Sequence, residues 1–189
     1  FSLKDVSKSG NLYFRFQTES SMQLRVIIHK QKKFWENEQV ELCLQIIFLG
    51  IVGAMLLYNL LLGITLRDIT YFYYLFYLIS AGLFISGLKG LNYQFLWGNF
   101  IAWNHLSGPV LLALTNLGIL LFANSFLKLR ENLPRLYKFF FVLIITSWIC
   151  LFFSFLVSYR VIARVLVLMV LVNSLASIMV GFIIAKRGY

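Results

Sequence analysis

The chain has 189 residues, of which 60% are hydrophobic and only 13% charged, and its mean hydropathy is +0.82; soluble domains carry roughly 45–50% apolar and about 25% charged residues. That balance excludes an ordinary soluble globule and places the chain in a membrane. The formal charge of +10 is scattered through short segments between apolar runs, not gathered on one face, so it argues for headgroup contact and topology and against a nucleic-acid partner.

The N-terminal part reads as water-soluble. It opens at Phe1 without a basic region followed by a short apolar one, so no signal peptide is visible and the chain is expected to be a fragment of a longer protein. Leu12, Phe14 and Phe16 alternate with Tyr13, Arg15 and Gln17, and Leu24, Val26 and Ile28 alternate with Arg25, Ile27 and His29. Period-2 alternation is the mark of a half-buried strand, and the polar linker TESSMQ between the two is of hairpin length. An isolated hairpin is marginal in water, so residues 1–31 are expected to be the last strands of a larger β domain; a disordered polar leader fits the alternation less well. Residues 32–41 are charged, with Phe34 and Trp35 among them, and form a juxtamembrane connector at headgroup level.

The run from Leu42 to Leu66 contains no Asp, Glu, Lys or Arg. At about 1.5 Å per residue it reaches roughly 37 Å, more than the ~30 Å hydrocarbon core. Backbone groups in lipid must bond internally, so it must be a helix. Arg67-Asp68-Ile69-Thr70 makes a tight turn, and a second span returns over 71–88, entered through the aromatic belt Tyr71, Phe72, Tyr73, Tyr74 and Tyr77. Residues 91–105 are too polar to span but rich in aromatics, and are expected to lie in the interface, partly helical. Further spans are expected at 106–127, with Pro109 near its first turn, at 136–157, Phe-rich throughout, and at 161–185. The fold class is therefore an all-α antiparallel transmembrane helical bundle of five spans, preceded by a β-hairpin remnant.

Five spans put the ends on opposite sides. Arg67, Lys128, Arg130, Arg135, Lys138, Lys186 and Arg187 share one side, against Lys89, Arg160 and Arg164 on the other. Basic residues stay in the cytoplasm, which sets the N-terminal region outside; Lys30, Lys32 and Lys33 narrow the margin, although domain-scale segments translocate largely regardless of charge.

The stretch GAMLLYNLLLGITLRDITYFYYLFYLIS resembles the opening of the membrane domain of bacterial seven-transmembrane receptors with diverse intracellular signalling modules. Tyr58-Asn59 in the first span, the Arg67-Asp68 turn leading into a Tyr-rich second span, and Phe126-Leu127 before a basic, proline-containing turn carry the likeness. NLYFRFQTESSMQLRVII resembles the end of the extracytoplasmic jelly-roll-like sandwich that precedes this domain in many members. The resemblance implies an inner-membrane sensory receptor and a homodimer. A small-molecule or carbohydrate ligand at the outer domain would be reported to a cytoplasmic histidine kinase, diguanylate cyclase, phosphatase or similar module in cis. The chain departs from the pattern in showing five spans of seven and no output module, which favours truncation over a reduced relative.

Ionisable residues inside membranes mark function by default, and here they are nearly absent. Arg160 and Arg164 are close enough to a span end to snorkel; with Arg67, Lys186 and Arg187 they read as topology anchors. Asn59, Asn116, Asn124, Asn173 and Ser177 place polar groups within spans, Asn173, Ser177 and Gly181 on one helix face. Gly50 with Ala54, and Gly82 with Ser86, have the spacing that lets helices approach. Packing with interhelical hydrogen bonds is the plain reading of these positions; the functional one is that such modest bonds hold two packings close in energy, as a switch requires. His29 and His105 stand alone, Cys43 and Cys150 lie far apart in apolar runs, and nothing matches a catalytic constellation, a metal site or a cofactor cradle. A transporter or channel portion is the alternative reading, lacking the midplane charges or broken helices such proteins use.

Overall fold

The computed structural model describes the backbone of residues 31–98, 100–157 and 159–186. The two alternating stretches read as strands lie outside the described residues, as does Arg187. Among the described residues the elements are all helical: α1 (Gln31–Leu66), α2 (Ile69–Leu88), α3 (Leu91–Phe95), α4 (Ile101–Phe126), α5 (Leu129–Asn132), α6 (Pro134–Phe153) and α7 (Tyr159–Lys186). Five stretches are long and apolar enough to cross a bilayer: Gln39–Leu66, Ile69–Leu88, Leu106–Phe126, Pro134–Phe153 and Val161–Lys186. The five-span, all-α reading therefore stands.

Three boundaries differ from the sequence expectation. The charged 32–41 connector is helical and continuous with the first span, so α1 has 36 residues and measures about 54 Å. The helix of the third span begins at Ile101, which places Pro109 inside α4 and not in its first turn; its missing N–H removes one bond of the ladder. The fourth helix ends at Phe153 and gives way to a turn whose Ser154 N–H donates back to Cys150 and Leu151.

Local chemistry fixes the connections. Asp68 caps α2, its Oδ1 accepting from the Thr70 N–H at 2.8 Å, the N-cap bond that satisfies an otherwise orphaned donor. Gly90, at φ 79°, begins α3 in a left-handed conformation that costs glycine nothing. Arg67 and Lys128 adopt the same region at φ 51° and 44°, where a Cβ costs about 1–2 kcal/mol. Pro134 starts α6, a position needing no N–H.

Packing is organised around α4, which lies against α2, α6 and α7. It buries Ala113 and Leu120 completely. A Cβ built on Gly118 would come within 2.9 Å of the Tyr77 Cα, so only glycine permits this α2–α4 approach. Two apolar layers form along α4. One joins Leu120 and Ala123 to Leu129, Phe140, Val180 and Ile184; the other joins Ala113 to Ile162 and Leu166. By contrast α1 packs on α2 and leaves Leu44, Ile46, Leu57 and Leu61 more than 60% exposed, a surface suited to lipid tails. The expected close approach at Gly50 does not occur, for nothing lies within 4 Å of its built Cβ; Gly82 does face Val52 of α1.

Candidate functional site

Between the two apolar layers lies a polar one. Asn116 falls at the centre of the α4 span and Asn173 at the centre of the α7 span, with Ser147 about a turn from the centre of α6. All three are 0–1% exposed. The Asn173 amide Nδ2 donates to Asn116 Oδ1 at 2.9 Å, and Asn116 Nδ2 donates to Ser147 Oγ at 3.1 Å. Ser147 in turn donates to the Leu143 carbonyl at 2.8 Å. One amide thus uses both ends to tie three helices at mid-depth, where no water competes for the bonds.

The relay ends unbalanced. Asn173 Oδ1 is buried without a hydrogen-bond partner, and beside Asn173 an apolar crevice of about 230 Å³ opens between α6 and α7, lined also by Leu143 and Met169. An unpaired acceptor in a dry interior carries a desolvation cost that a paired one does not. Ser177 does not relieve it, since its Oγ donates to the backbone carbonyl of Asn173 at 2.8 Å.

The other positions singled out in the sequence fall elsewhere. Asn59 donates to the Met55 carbonyl at 2.8 Å and faces a cleft between α1, α2 and α4. Asn124, on α4, has a buried Oδ1 without a partner and does not join the relay. Arg67, Arg164 and Lys186 are exposed, the first in the α1–α2 turn and the others towards opposite ends of α7; Arg160 belongs to the first turn of that helix.

Sequence reasoning missed Ser147, the third member of the relay; the signal was the Thr146-Ser147 pair, two hydroxyls in a span otherwise read as Phe-rich. It also missed Asn92, which is 2% exposed and staples α3 to the end of α2. Asn92 Nδ2 donates to the Leu83 carbonyl and its Oδ1 accepts from Ser86 Oγ, both at 2.6 Å. Ser86, expected to mark a helix crossing, serves this staple instead. A third omission is the Thr70–Ser125 hydroxyl pair at 2.8 Å, joining α2 to α4.

Over residues 41–189 the sequence matches the family described as 7TM diverse intracellular signalling. The chain belongs to this family. The match starts at the membrane domain, so it supports the receptor likeness read from Tyr58-Asn59, Arg67-Asp68 and Phe126-Leu127 and does not reach the strand-like stretches. No curated protein and no solved structure matches the chain. Family membership and the five apolar helices make it a multi-pass membrane domain in contact with the lipid bilayer. Among the described residues no group of three or more His, Cys, Asp or Glu side chains comes together.

Proposed function

We propose that this domain is the membrane relay of a sensory receptor in a bacterial inner membrane, its N-terminal region outside and a signalling module in cis on the cytoplasmic side. A small-molecule or carbohydrate ligand at the outer domain favours one packing of the helices, and the output module, a histidine kinase, diguanylate cyclase or similar, reads the population. A homodimer is the expected assembly. The observation that carries this reading is the Asn173–Asn116–Ser147 relay: three helices held at mid-depth by two interhelical hydrogen bonds, with a spare acceptor on Asn173 and a crevice beside it. Such bonds are worth about 0.6 kcal/mol each and up to about 1.7, so a rearrangement that exchanges one partner for another is within reach of a ligand's binding energy.

The continuous α1 helix supports the input side, because a stiff helix carries a displacement that a flexible linker would absorb. The transport alternative gains no support: Asn116 and Asn173 spend their amides on each other, and Asn59 lines a separate cleft.

The test is Asn116→Leu in the full-length receptor, with output measured with and without stimulus at matched membrane levels. Loss of both interhelical bonds of Asn116, about 1.2 to 3.4 kcal/mol, shifts a two-state population by up to roughly 8- to 300-fold, so basal output should change within that range. Unchanged basal and stimulated output in a normally inserted receptor refutes the switch.

A further inference from the structure

α1 and α4 both pack against α2, and near the end of the bundle that carries the α1–α2 turn residues of all three helices line an open cleft of about 820 Å³. Tyr74 of α2 lies 5.1 Å from Phe122 of α4, ring centre to ring centre, and Phe122 stacks on Phe126 at 5.3 Å. These rings form the α2 and α4 walls of the cleft.

The cleft runs with the membrane normal. Its deep end is at Ala54 of α1 and its mouth at Asp68 and Lys128; from Ala54 to the end of α1 at Leu66 is about 18 Å, a little over half the ~30 Å hydrocarbon thickness. The volume is in the range of sites that hold one small ligand, roughly 300–1,000 Å³. Below, its walls are mostly apolar and aromatic, with Asn59 donating its amide to the Met55 carbonyl of its own helix; above they are polar, where Thr70 and Ser125 share a hydrogen bond. A solute from water would have to abandon its hydration to enter such walls; a lipid of that leaflet enters from the side.

The mouth carries one charge of each sign. The hydrogen bonds to the Asp68 carboxylate come from Thr70, and Lys128 acts on it through charge at a distance; together they hold Asp68 below the usual carboxylate range and therefore ionised. Lys128 occupies its place in a left-handed backbone conformation that disfavours every residue but glycine. A phospholipid headgroup with a primary amine presents the complementary pair, an ammonium for Asp68 and a phosphate for Lys128. An anionic headgroup lacking the amine would satisfy Lys128 and set its own charge beside Asp68.

We propose that this cleft binds a single amine-bearing zwitterionic phospholipid of the phosphatidylethanolamine type, one acyl chain lying along Tyr58, Tyr74 and Phe122 and the headgroup set between Asp68 and Lys128. The site is distinct from the amide relay and does not depend on which side of the membrane is cytoplasmic.

The test is photolabelling in nanodiscs with phosphatidylethanolamine or phosphatidylglycerol bearing the same mid-chain diazirine, with labelled residues located by peptide mass spectrometry. Label concentrated on residues 54–59 and 122–126, and stronger from the amine lipid by roughly 1.4- to 5-fold, the range of one exposed ion pair, supports the site. Asp68→Asn keeps a good N-cap acceptor while removing the charge, and should erase or reverse the lipid preference at the cleft. Ala54→Phe fills the deep end and should remove the cleft label while leaving label on the outer face of α7. Equal labelling by both lipids, label spread evenly over all lipid-facing helices, or a preference that survives Asp68→Asn overturns the proposal.

Discussion

Asn116 and Asn173 look equivalent in sequence, an asparagine in the middle of each span, but the structure makes their replacement unequal. Asn116→Leu breaks both interhelical bonds and leaves the Asn173 amide without any partner at either end. At about 0.6 to 1.7 kcal/mol per bond the loss is about 1.2 to 3.4 kcal/mol. Asn173→Leu breaks one bond and exchanges one buried unpaired acceptor, its own Oδ1, for another, the Asn116 Oδ1 it had served; those two costs offset, so the net loss should be that of the single bond, about 0.6–1.7 kcal/mol. In the Asn116→Leu background, Asn173→Leu should stabilise, because there it removes a fully unsatisfied amide. A double-mutant cycle measured by steric-trap unfolding in bicelles should give a coupling of about 0.6–1.7 kcal/mol. Equal losses from the two single variants, or coupling within the ~0.3–0.5 kcal/mol scatter of independent sites, would refute the relay as described.

Gly118→Ala should destabilise by about 1–3 kcal/mol through overpacking, because its Cβ would meet the Tyr77 Cα at 2.9 Å, whereas Gly50→Ala, open on all sides, should leave the unfolding midpoint in detergent nearly unchanged. The Asp68 carboxyl is held down chiefly by the Thr70 backbone N–H, so its contribution to the α2 cap is present above the unfolded carboxylate value near about 4 and disappears as pH falls through the lower folded value. The protection of the Thr70 amide against hydrogen exchange, the intrinsic rate divided by the measured rate at each pH, should therefore fall only in acid, and in Asp68→Asn it should show no such acid-driven step. Lys128→Gly should raise stability by about 1 kcal/mol by releasing the left-handed backbone, while weakening retention of the amine-bearing lipid in the cleft; a melting curve together with photolabelling measures both.

The spans were legible because lipid imposes a crude rule, absence of charge over a sufficient length, that residues 42–66 and 161–185 obey plainly. Helix ends were less so. Nothing in the composition of residues 32–41 distinguishes a headgroup-level connector from the first turns of a long helix, since charged residues serve both, and Ile101 starts α4 because the backbone continues through polar residues that hydropathy assigns to the interface. Among polar positions, Asn116 and Asn173 could be named but not paired. Their partnership depends on α4 and α7 lying parallel across α6, a tertiary fact that spacing along one helix does not contain. Ser147 shows the same limit from the other side: a small hydroxyl in a span usually bonds its own backbone, as this one also does with Leu143, and only the approach of Asn116 gives it a second role. Gly50 and Ala54 have the small-residue spacing and Gly50 marks no close crossing, while Gly118 lies outside that spacing and sits where α2 and α4 approach closely enough to exclude a Cβ.

The unbroken course of α1 from Gln31 to Leu66 makes it behave as a shaft. Each residue added ahead of the span would turn everything N-terminal to it by about 100° and lift it by about 1.5 Å, so angular phase and reach cannot be altered independently. Small insertions ahead of the span would therefore retune whatever the helix carries with effects that recur at helical periodicity, and related receptors with connectors of different length should differ in azimuth as much as in height.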